Sequence, residues 1–313
     1  MDNEKWKKLR DMVEKGELSE ELFKEIVGRW EAPENGLNER PERESKKDSK
    51  SERSKKIHVS GSSRMTSIYA EDVSISGSLT VEGNVDAVDI DISGSCKIGK
   101  DLVSSNTIDS SGSVNIGGDL KGREIDSSGS FKVQGKIEAN EIDSSGLVKA
   151  DSLVCESLDS SGFTKIENEI NAKFIDTSGK IVAKSIECGT MDCSGSIGVE
   201  TVKGDEIFIK GKIESNCVKA KRFEMELNNY PKTLIKKLEA DFIQISLIRK
   251  RFFSTEAEID EIICNKAYLE HVKSKRISGS EIEIGDGSVI DYVEAKVIKI
   301  SENAIVKDKK IID

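Results

Sequence analysis

The chain has 313 residues, of which 36% are hydrophobic and only 5% aromatic, and it carries a formal net charge of −10. Residues 1–56 hold 15 basic and 15 acidic side chains, so the rest of the chain carries the whole excess of negative charge. This distribution argues against broad binding of nucleic acid, which needs a basic surface. The scarcity of aromatic residues predicts a thin core built from Ile, Val and Leu.

The cysteine pattern and the N-terminal residues predict a cytoplasmic protein with reduced thiols. No pair among the six cysteines has the spacing of a zinc knuckle. The first residues, MDNEKWKKLRDMVEKG, contain no apolar signal core, and no run approaches eighteen apolar residues. Nothing in the sequence specifies a membrane contact. Because no phosphate-binding loop or dinucleotide fingerprint is present either, we expect no cofactor.

Residues 1–30 predict a small helical hairpin. Gly16 ends the first helix, and Ser19 is a suitable N-cap for the second. A hairpin of this size does not fold stably alone, so we expect it to self-associate or to bind a protein partner. Its candidate binding residues are Trp6, Leu9, Leu22, Phe23, Ile26 and Trp30. The stretch LRDMVEKGELSEELFKEIV resembles the short helical hairpin called SHOCT. Residues 31–56 combine mixed charge with Pro and Ser and predict a disordered linker.

A repeat of 16 to 18 residues begins after residue 56 and is marked by a Ser-Gly pair. Apolar residues alternate with polar ones on both sides of the glycine, and an apolar patch recurs about three times in each repeat. The repeated glycines are Gly61, Gly77, Gly94, Gly112, Gly129, Gly146, Gly162, Gly179 and Gly195. A fixed period of this kind is typical of a solenoid. The fold class is therefore mainly β: a right-handed, triangular parallel β-helix of about 17 residues per coil, with the α-helical hairpin in front.

The two ends of such a solenoid present strands without a neighbour on one side, and open strand edges favour pairing with another chain. The candidate contact residues near the first coil are Ile57, Val59 and Ile68. Those near the last coil are Val297, Ile300 and Ile305.

An aspartate recurs three residues before most of the glycines, at a position that the alternation directs outward. The column consists of Asp91, Asp109, Asp126, Asp143, Asp159, Asp176 and Asp192. We interpret it as structural, with each Asp capping the following Ser and Gly amides in an Asx-turn. A ridge that binds cations or cleaves a substrate is the less favoured alternative, because catalysis needs one distinctive constellation.

The same alternation of inward and outward residues assigns an orientation to the neighbouring columns. Outward lysines three residues after the glycine, at Lys97, Lys132, Lys149 and Lys165, are expected to offset part of the Asp charge. The inward column Ser110, Ser127, Ser144, Ser160, Thr177 and Cys193 predicts small residues packed at a corner. The two histidines, His58 and His271, lie far apart and are interpreted as surface residues. No metal site and no catalytic residue is predicted.

The regular coils are predicted over residues 57–227, and residues 228–313 are expected to be irregular before coils resume. Pro231 predicts a break, TLIKKLEA a short helix or a lateral excursion, and LIRKRFF (247–253) either a binding patch or an irregular coil. The coil motif, as in SGSLTVEGNV, SGSVNIGGDL and SGSFKVQGKI, resembles the bactofilin family of polymer-forming cytoskeletal proteins. LEADFIQISLIRKRF, AYLEHV and EIEIGDGSVIDYVEA are similar to its longer, archaeal-type members. The resemblance covers about residues 57–312 and implies a β-helix that polymerises end to end without nucleotide.

The leading hypothesis is a non-enzymatic scaffold whose partner is a second copy of itself. One alternative is a monomeric adaptor that binds proteins through the hairpin or the outer face. The other is a β-helix enzyme acting on polysaccharide, for which residues 226–275 would supply the loops of a groove.

Overall fold

The computed structural model describes residues 53–227, 232–248 and 256–313, and within them the chain forms a parallel β-solenoid of about 15 coils with about 16 residues each. The sequence prediction of a parallel β-helix is therefore confirmed. The predicted helical hairpin and most of the predicted linker lie outside the described residues.

The solenoid contains 28 strands in chain order. The first fourteen are β1 Ser54–Val59, β2 Ser62–Met65, β3 Ile68–Ile75, β4 Ser78–Val81, β5 Val85–Ala87, β6 Asp89–Ile92, β7 Ser95–Ile98, β8 Leu102–Ser104, β9 Thr107–Ser110, β10 Ser113–Ile116, β11 Leu120–Lys121, β12 Glu124–Ser127, β13 Ser130–Val133 and β14 Lys136–Glu138. The others are β15 Glu141–Ser144, β16 Leu147–Ala150, β17 Ser152–Ser160, β18 Phe163–Ile166, β19 Glu169–Thr177, β20 Lys180–Cys193, β21 Ser196–Lys203, β22 Glu206–Ile209, β23 Lys212–Leu227, β24 Thr233–Leu247, β25 Ala257–Leu269, β26 Val272–Ile284, β27 Val289–Ile300 and β28 Ile305–Ile311.

Each coil contributes one segment to each of the three faces of the solenoid. Face A holds the segments that precede the Ser-Gly corner, such as β12; face B holds those that follow it, such as β13; face C holds the third set, such as β14. Every segment pairs in parallel with its counterpart one coil away, mostly 15 to 18 residues along the chain. The spacing widens to 20 residues between β23 and β24 and to 24 between β24 and β25.

The core is a set of inward columns in which each coil stacks one apolar side chain on the next. On face C, for example, Leu120 pairs with Leu102 and with Ile137, and all three are buried. Ile, Val and Leu make up most of the core; Phe131 and Phe223 are its largest fully buried side chains. Parallel strands buried on one face explain why β-branched residues dominate these positions.

The glycine column exists because adjacent coils approach closely at the corner between faces A and B. A Cβ atom on Gly129 would lie 2.0 Å from the carbonyl oxygen of Gly112, and one on Gly146 would lie 2.0 Å from that of Gly129. Non-bonded atoms cannot approach so closely, so no other residue fits without moving the backbone.

Two boundary predictions need correction. The solenoid begins at least as early as Ser54, three residues before the predicted start of the coils at residue 57. The segment TLIKKLEA is neither a helix nor an excursion, since it belongs to β24, which pairs in register with both β23 and β25. The coils therefore continue through residues 232–248, where an irregular segment was predicted; residues 228–231 and 249–255 lie outside the described residues.

Candidate assembly surfaces

The N-terminal end of the solenoid carries three of the predicted contact residues. Within the described chain, β1 pairs only with β3, and β2 pairs only with β4, so each has a neighbour on one side. Ile57 and Val59 lie on β1 and Ile68 begins β3, all at inward positions. Ile57 is half-buried, whereas Val59 and Ile68 are already buried.

The C-terminal end exposes more apolar surface. Among the described strands, β28 pairs only with β27. Ile300 stacks on the buried Ile284, and Ile311 stacks on the buried Ala295, yet Ile300 is 36% exposed and Ile311 is 71% exposed. These two inward positions have no further coil to cover them within the described residues. Ile311 is not among the predicted contact residues, although its apolar character after two lysines was a usable signal.

The other two predicted contacts at this end have a different orientation. Val297 is aligned with Glu281 and Lys266, and Ile305 is aligned with Val289 and Lys273. Both therefore belong to outward columns of the terminal coil rather than to its inward edge, and both are exposed.

Gly61 differs from every later member of the glycine column. A Cβ atom at Gly77 would lie 2.2 Å from the carbonyl oxygen of Gly61, and the following members meet the preceding corner in the same way. At Gly61 itself, a Cβ atom would meet nothing within 4 Å. The corner of the first coil therefore has the shape to receive another coil.

The Asp column lies on the outer surface of face A, as parity predicted, with the carboxylates directly aligned from coil to coil. Asp192 has an ion pair with Lys210 (3.9 Å); the other six have none within the described residues. Partial burial, together with the charges of neighbouring aspartates, raises the pKa of Asp126 and Asp159 above its usual range.

The predicted Asx-turn is wrong. The amides of Ser128 and Gly129 both donate to the carbonyl of Ser110 in the preceding coil, and the same pattern recurs at Ser145 and Gly146. Within the described chain, no Asp of the column accepts a hydrogen bond from these amides. The corner is held by backbone bonds between coils, so the carboxylates of Asp91, Asp109, Asp126, Asp143, Asp159, Asp176 and Asp192 do not serve as turn caps.

The lysine column lies on face B. Lys132, Lys149 and Lys165 are aligned on three successive coils. Asn115 takes the same position one coil before Lys132, and Lys97 takes it one coil before Asn115. Lys165 contacts Glu167 at 2.5 Å, but no ion pair joins any lysine of this column to the Asp column in the described residues. These lysines therefore do not pair directly with the aspartates within the described residues.

At many other positions, charges on adjacent coils have opposite signs and form ion pairs. Lys121 pairs with Glu138 (3.0 Å), Lys173 with Glu156 (2.6 Å) and Arg276 with Glu294 (2.7 Å). The Lys121 ammonium lowers the pKa of Glu138, and the Arg276 guanidinium lowers that of Glu294. Like charges directly opposite each other are unfavourable, and the Asp column is the longest such row, with seven aligned carboxylates.

The inward hydroxyl column is buried, as predicted. Ser127, Ser144, Ser160 and Thr177 have no exposed surface, and Ser110 is 4% exposed. The Oγ1 atom of Thr177 donates to the carbonyl of Ser160, whereas the Oγ atoms of Ser110, Ser127 and Ser144 have no hydrogen-bond partner. Their small side chains fill the inward positions at this corner, as predicted.

The remaining chemically active side chains are dispersed. Burial raises to about 12 the pKa values of the thiols Cys96, Cys155, Cys188, Cys193 and Cys264. His58 is exposed at the first coil, and His271 occupies a corner with φ of 52°. Within residues 53–227, 232–248 and 256–313, no three His, Cys, Asp or Glu side chains are placed to hold a metal ion.

A groove of about 420 Å³ is lined partly by residues 226–275, the segment predicted to supply loops in the enzyme alternative. Its lining includes Glu214, Leu234, Lys236, Glu258 and Asp260. Leu234 is 41% exposed, and Lys236 is a basic group among carboxylates. The described part of the chain has no helix that is long and apolar enough to cross a membrane.

Comparison of the chain with protein-family models, with curated proteins and with solved structures finds no match. The resemblance to bactofilins and to SHOCT therefore stays a prediction carried by the motifs alone. What the fold defines is a class of protein: a parallel β-solenoid whose terminal coils are open on one side within the described residues.

Proposed function

We propose that this chain is a non-enzymatic structural scaffold whose rods assemble end to end through their terminal coils, without nucleotide. The observation that carries the proposal is the one-sided pairing of β1, β2 and β28 among the described strands. Unpaired N–H and C=O groups of a strand edge form hydrogen bonds readily with another edge.

The apolar inward columns support the same contact. Covering Ile300 and Ile311 with the end of a second rod removes apolar surface from water, and full burial of one such side chain contributes about 1.5–3 kcal/mol. The two ends of the rod have coils with the same three-faced outline. The end coil of a second rod can therefore cover these side chains and pair with the open strand edges.

Gly61 supports the contact independently. In the interior of the solenoid, a glycine at this corner is needed because the preceding coil places a carbonyl oxygen about 2 Å from the Cβ position. The first coil keeps the glycine although nothing within 4 Å requires it. A coil from a second copy, placed where an internal coil would lie, brings a carbonyl oxygen close to this corner and so requires a glycine there.

The test uses one substitution at each end of the full-length chain. Gly61→Ala adds a methyl group at the first corner, and Ile300→Lys adds a charge to the last inward edge. Gly198→Ala is the matched control for the first, since a Cβ there also meets nothing within 4 Å, and Val103→Lys is the control for the second, because Val103 is 38% exposed on the side of the rod.

The expected result, measured by sedimentation velocity and negative-stain microscopy, is that both end variants shorten the assemblies while both controls assemble like the unmodified chain. If unlike ends meet, each end variant alone gives single rods, and a mixture of the two gives pairs. If like ends meet, each variant alone gives pairs. End variants that assemble as long as the controls would refute the proposal.

A further inference from the structure

The outer surface of face A carries an uncompensated row of negative charge. The carboxylates of Asp91, Asp109, Asp126, Asp143, Asp159 and Asp176 are aligned on six successive coils and have no ion pair within the described residues. Several other charged side chains of the same rod are paired with opposite charges on the next coil, as Lys121 and Glu138 illustrate. A row of like charges that the rod does not neutralise indicates a partner of opposite charge.

Face B of the same coils carries the opposite charge. Lys97, Lys132, Lys149 and Lys165 each lie six residues beyond an aspartate of the column, across the Ser-Gly corner. Asn115 occupies the one intervening position. Although Asp126 and Lys132 belong to one coil, no ion pair joins the two columns in the described chain.

The two columns have the same axial spacing because each contains one residue per coil, and coils stack about 4.8 Å apart. They also occupy the same levels of the rod, since the Lys97 coil is the Asp91 coil and the Lys165 coil is the Asp159 coil. A second rod placed alongside, parallel and without axial displacement, therefore brings four lysines to the levels of four aspartates.

We propose that the rods associate side by side, with the Asp column on face A of one copy docked against the Lys column on face B of a second copy. The contact joins two different surfaces, so each added rod leaves one acidic and one basic face free for the next. Lateral growth of this kind does not require the end-to-end contact, and it keeps the rod ends level with one another.

Small-angle X-ray scattering of the full-length chain separates the two kinds of contact. The cross-sectional radius of gyration increases when rods pair side by side, whereas end-to-end stacking lengthens the particle at constant cross-section. Exposed ion pairs are individually weak and are screened by salt, so the comparison is made at about 50 mM and about 500 mM NaCl. We expect a wider cross-section at low salt that returns to a single rod at high salt.

Two triple variants test the columns separately. Asp126→Asn, Asp143→Asn and Asp159→Asn neutralise face A; Lys97→Gln, Lys132→Gln and Lys149→Gln neutralise face B. Each set is expected to weaken lateral association at low salt about tenfold, as for the loss of several exposed ion pairs. The control set Glu138→Gln, Glu187→Gln and Glu239→Gln changes the net charge of face C by the same amount as the Asp set and is expected not to narrow the cross-section at low salt.

The Asp set also distinguishes specific docking from a general effect of charge. Removing three negative charges from a chain of net charge −10 lowers the repulsion between molecules and by itself promotes association. The proposal predicts the opposite result for this set. An Asp variant that associates as well as the unmodified chain, or better, overturns the proposal.

Charge-reversal variants distinguish loss of the lateral contact from a folding defect, because mixing two correctly folded variants restores the association that each has lost alone. One chain carries Asp126→Lys, Asp143→Lys and Asp159→Lys, and the other carries the reversals at the matching levels, Lys132→Asp, Lys149→Asp and Lys165→Asp. Each alone is expected to remain a single rod in cross-section, and an equimolar mixture is expected to widen at low salt. A mixture that stays narrow, or an unmodified chain that shows no widening at low salt, contradicts the lateral contact while leaving the end-to-end proposal untouched.

Discussion

The coils of residues 54–227 and those of residues 232–248 and 256–313 have the same three-faced register but differ in how they are held. In the first region, most of the early strands have three or four residues and end at corners where glycines stack. In the second, four of the five strands have 12 to 15 residues and run through the corners.

The inward column at the end of face A shows the same difference. It contains Ser127 and Thr177 in the first region and Ile245, Leu269 and Ile284 in the second, all buried. A visible sequence repeat is therefore a property of tight corners. The stacked inward columns, which need only apolar side chains in register, maintain the solenoid in both regions.

The largest effect is expected from a methyl group at an interior glycine corner, which only the first region has as a column. Gly129→Ala places a Cβ 2.0 Å from the carbonyl oxygen of Gly112, so the coils must separate. We expect a loss of at least about 4 kcal/mol in the free energy of unfolding, or failure to fold. Thermal unfolding followed by circular dichroism measures it, with Gly198→Ala as the control; equal melting temperatures would show that the corner is not tight.

An effect of equal size in both regions is expected from the inward columns. Ile142 and Ile277 are buried on faces A and C, the first in a repeated coil and the second in a coil without the repeat. Truncation of either to Ala is expected to cost about 2–5 kcal/mol in the free energy of unfolding. Chemical denaturation compares the two, and a much smaller loss for Ile277→Ala would mean that the later coils do not depend on the stacked core.

The smallest effect is electrostatic and has opposite signs in the two regions. Because the pKa of Asp126 is raised in the folded chain, the stability tied to its protonated form is present below about pH 4 and is lost as the pH rises through the folded pKa. Asp126→Asn is therefore expected to stabilise the protein at neutral pH by about 0.5 kcal/mol, with no gain in acid.

Glu294 supplies the contrasting case in the second region. Arg276 lowers its pKa, so its contribution to stability is present above the unfolded pKa and is lost as the pH falls through the folded value. Glu294→Gln is expected to lower the melting temperature at neutral pH and to have no effect in acid. Parallel pH profiles for the two variants would contradict the distinction between a carboxylate in the like-charge column and one paired with an arginine.

The sequence predicted the solenoid and the orientation of its main columns because the glycine marks each coil and the alternation then assigns inside and outside. It failed for β24 for a physical reason. The inward residues Ile235, Leu238 and Ala240 are spaced by three and two, since the corner shifts the alternation by one residue, and such spacing imitates a helix.

The same shift explains the incomplete prediction of the ends. Apolar character identified Val297, Ile300 and Ile305, but the number of residues spent at each corner decides which of them point inward, and only the register shows it. The Asx-turn was wrong because the preceding coil supplies the acceptors for the corner amides, a contact that no local sequence pattern contains.

The measurement that tests the central claim most directly is electron microscopy of the purified full-length chain across a range of concentration and salt. A solenoid of about 15 coils stacked end to end predicts filaments with an axial repeat of about 70 Å that lengthen with concentration and need no nucleotide. A population of single rods that stays uniform at the highest concentration and at every salt level would contradict the account.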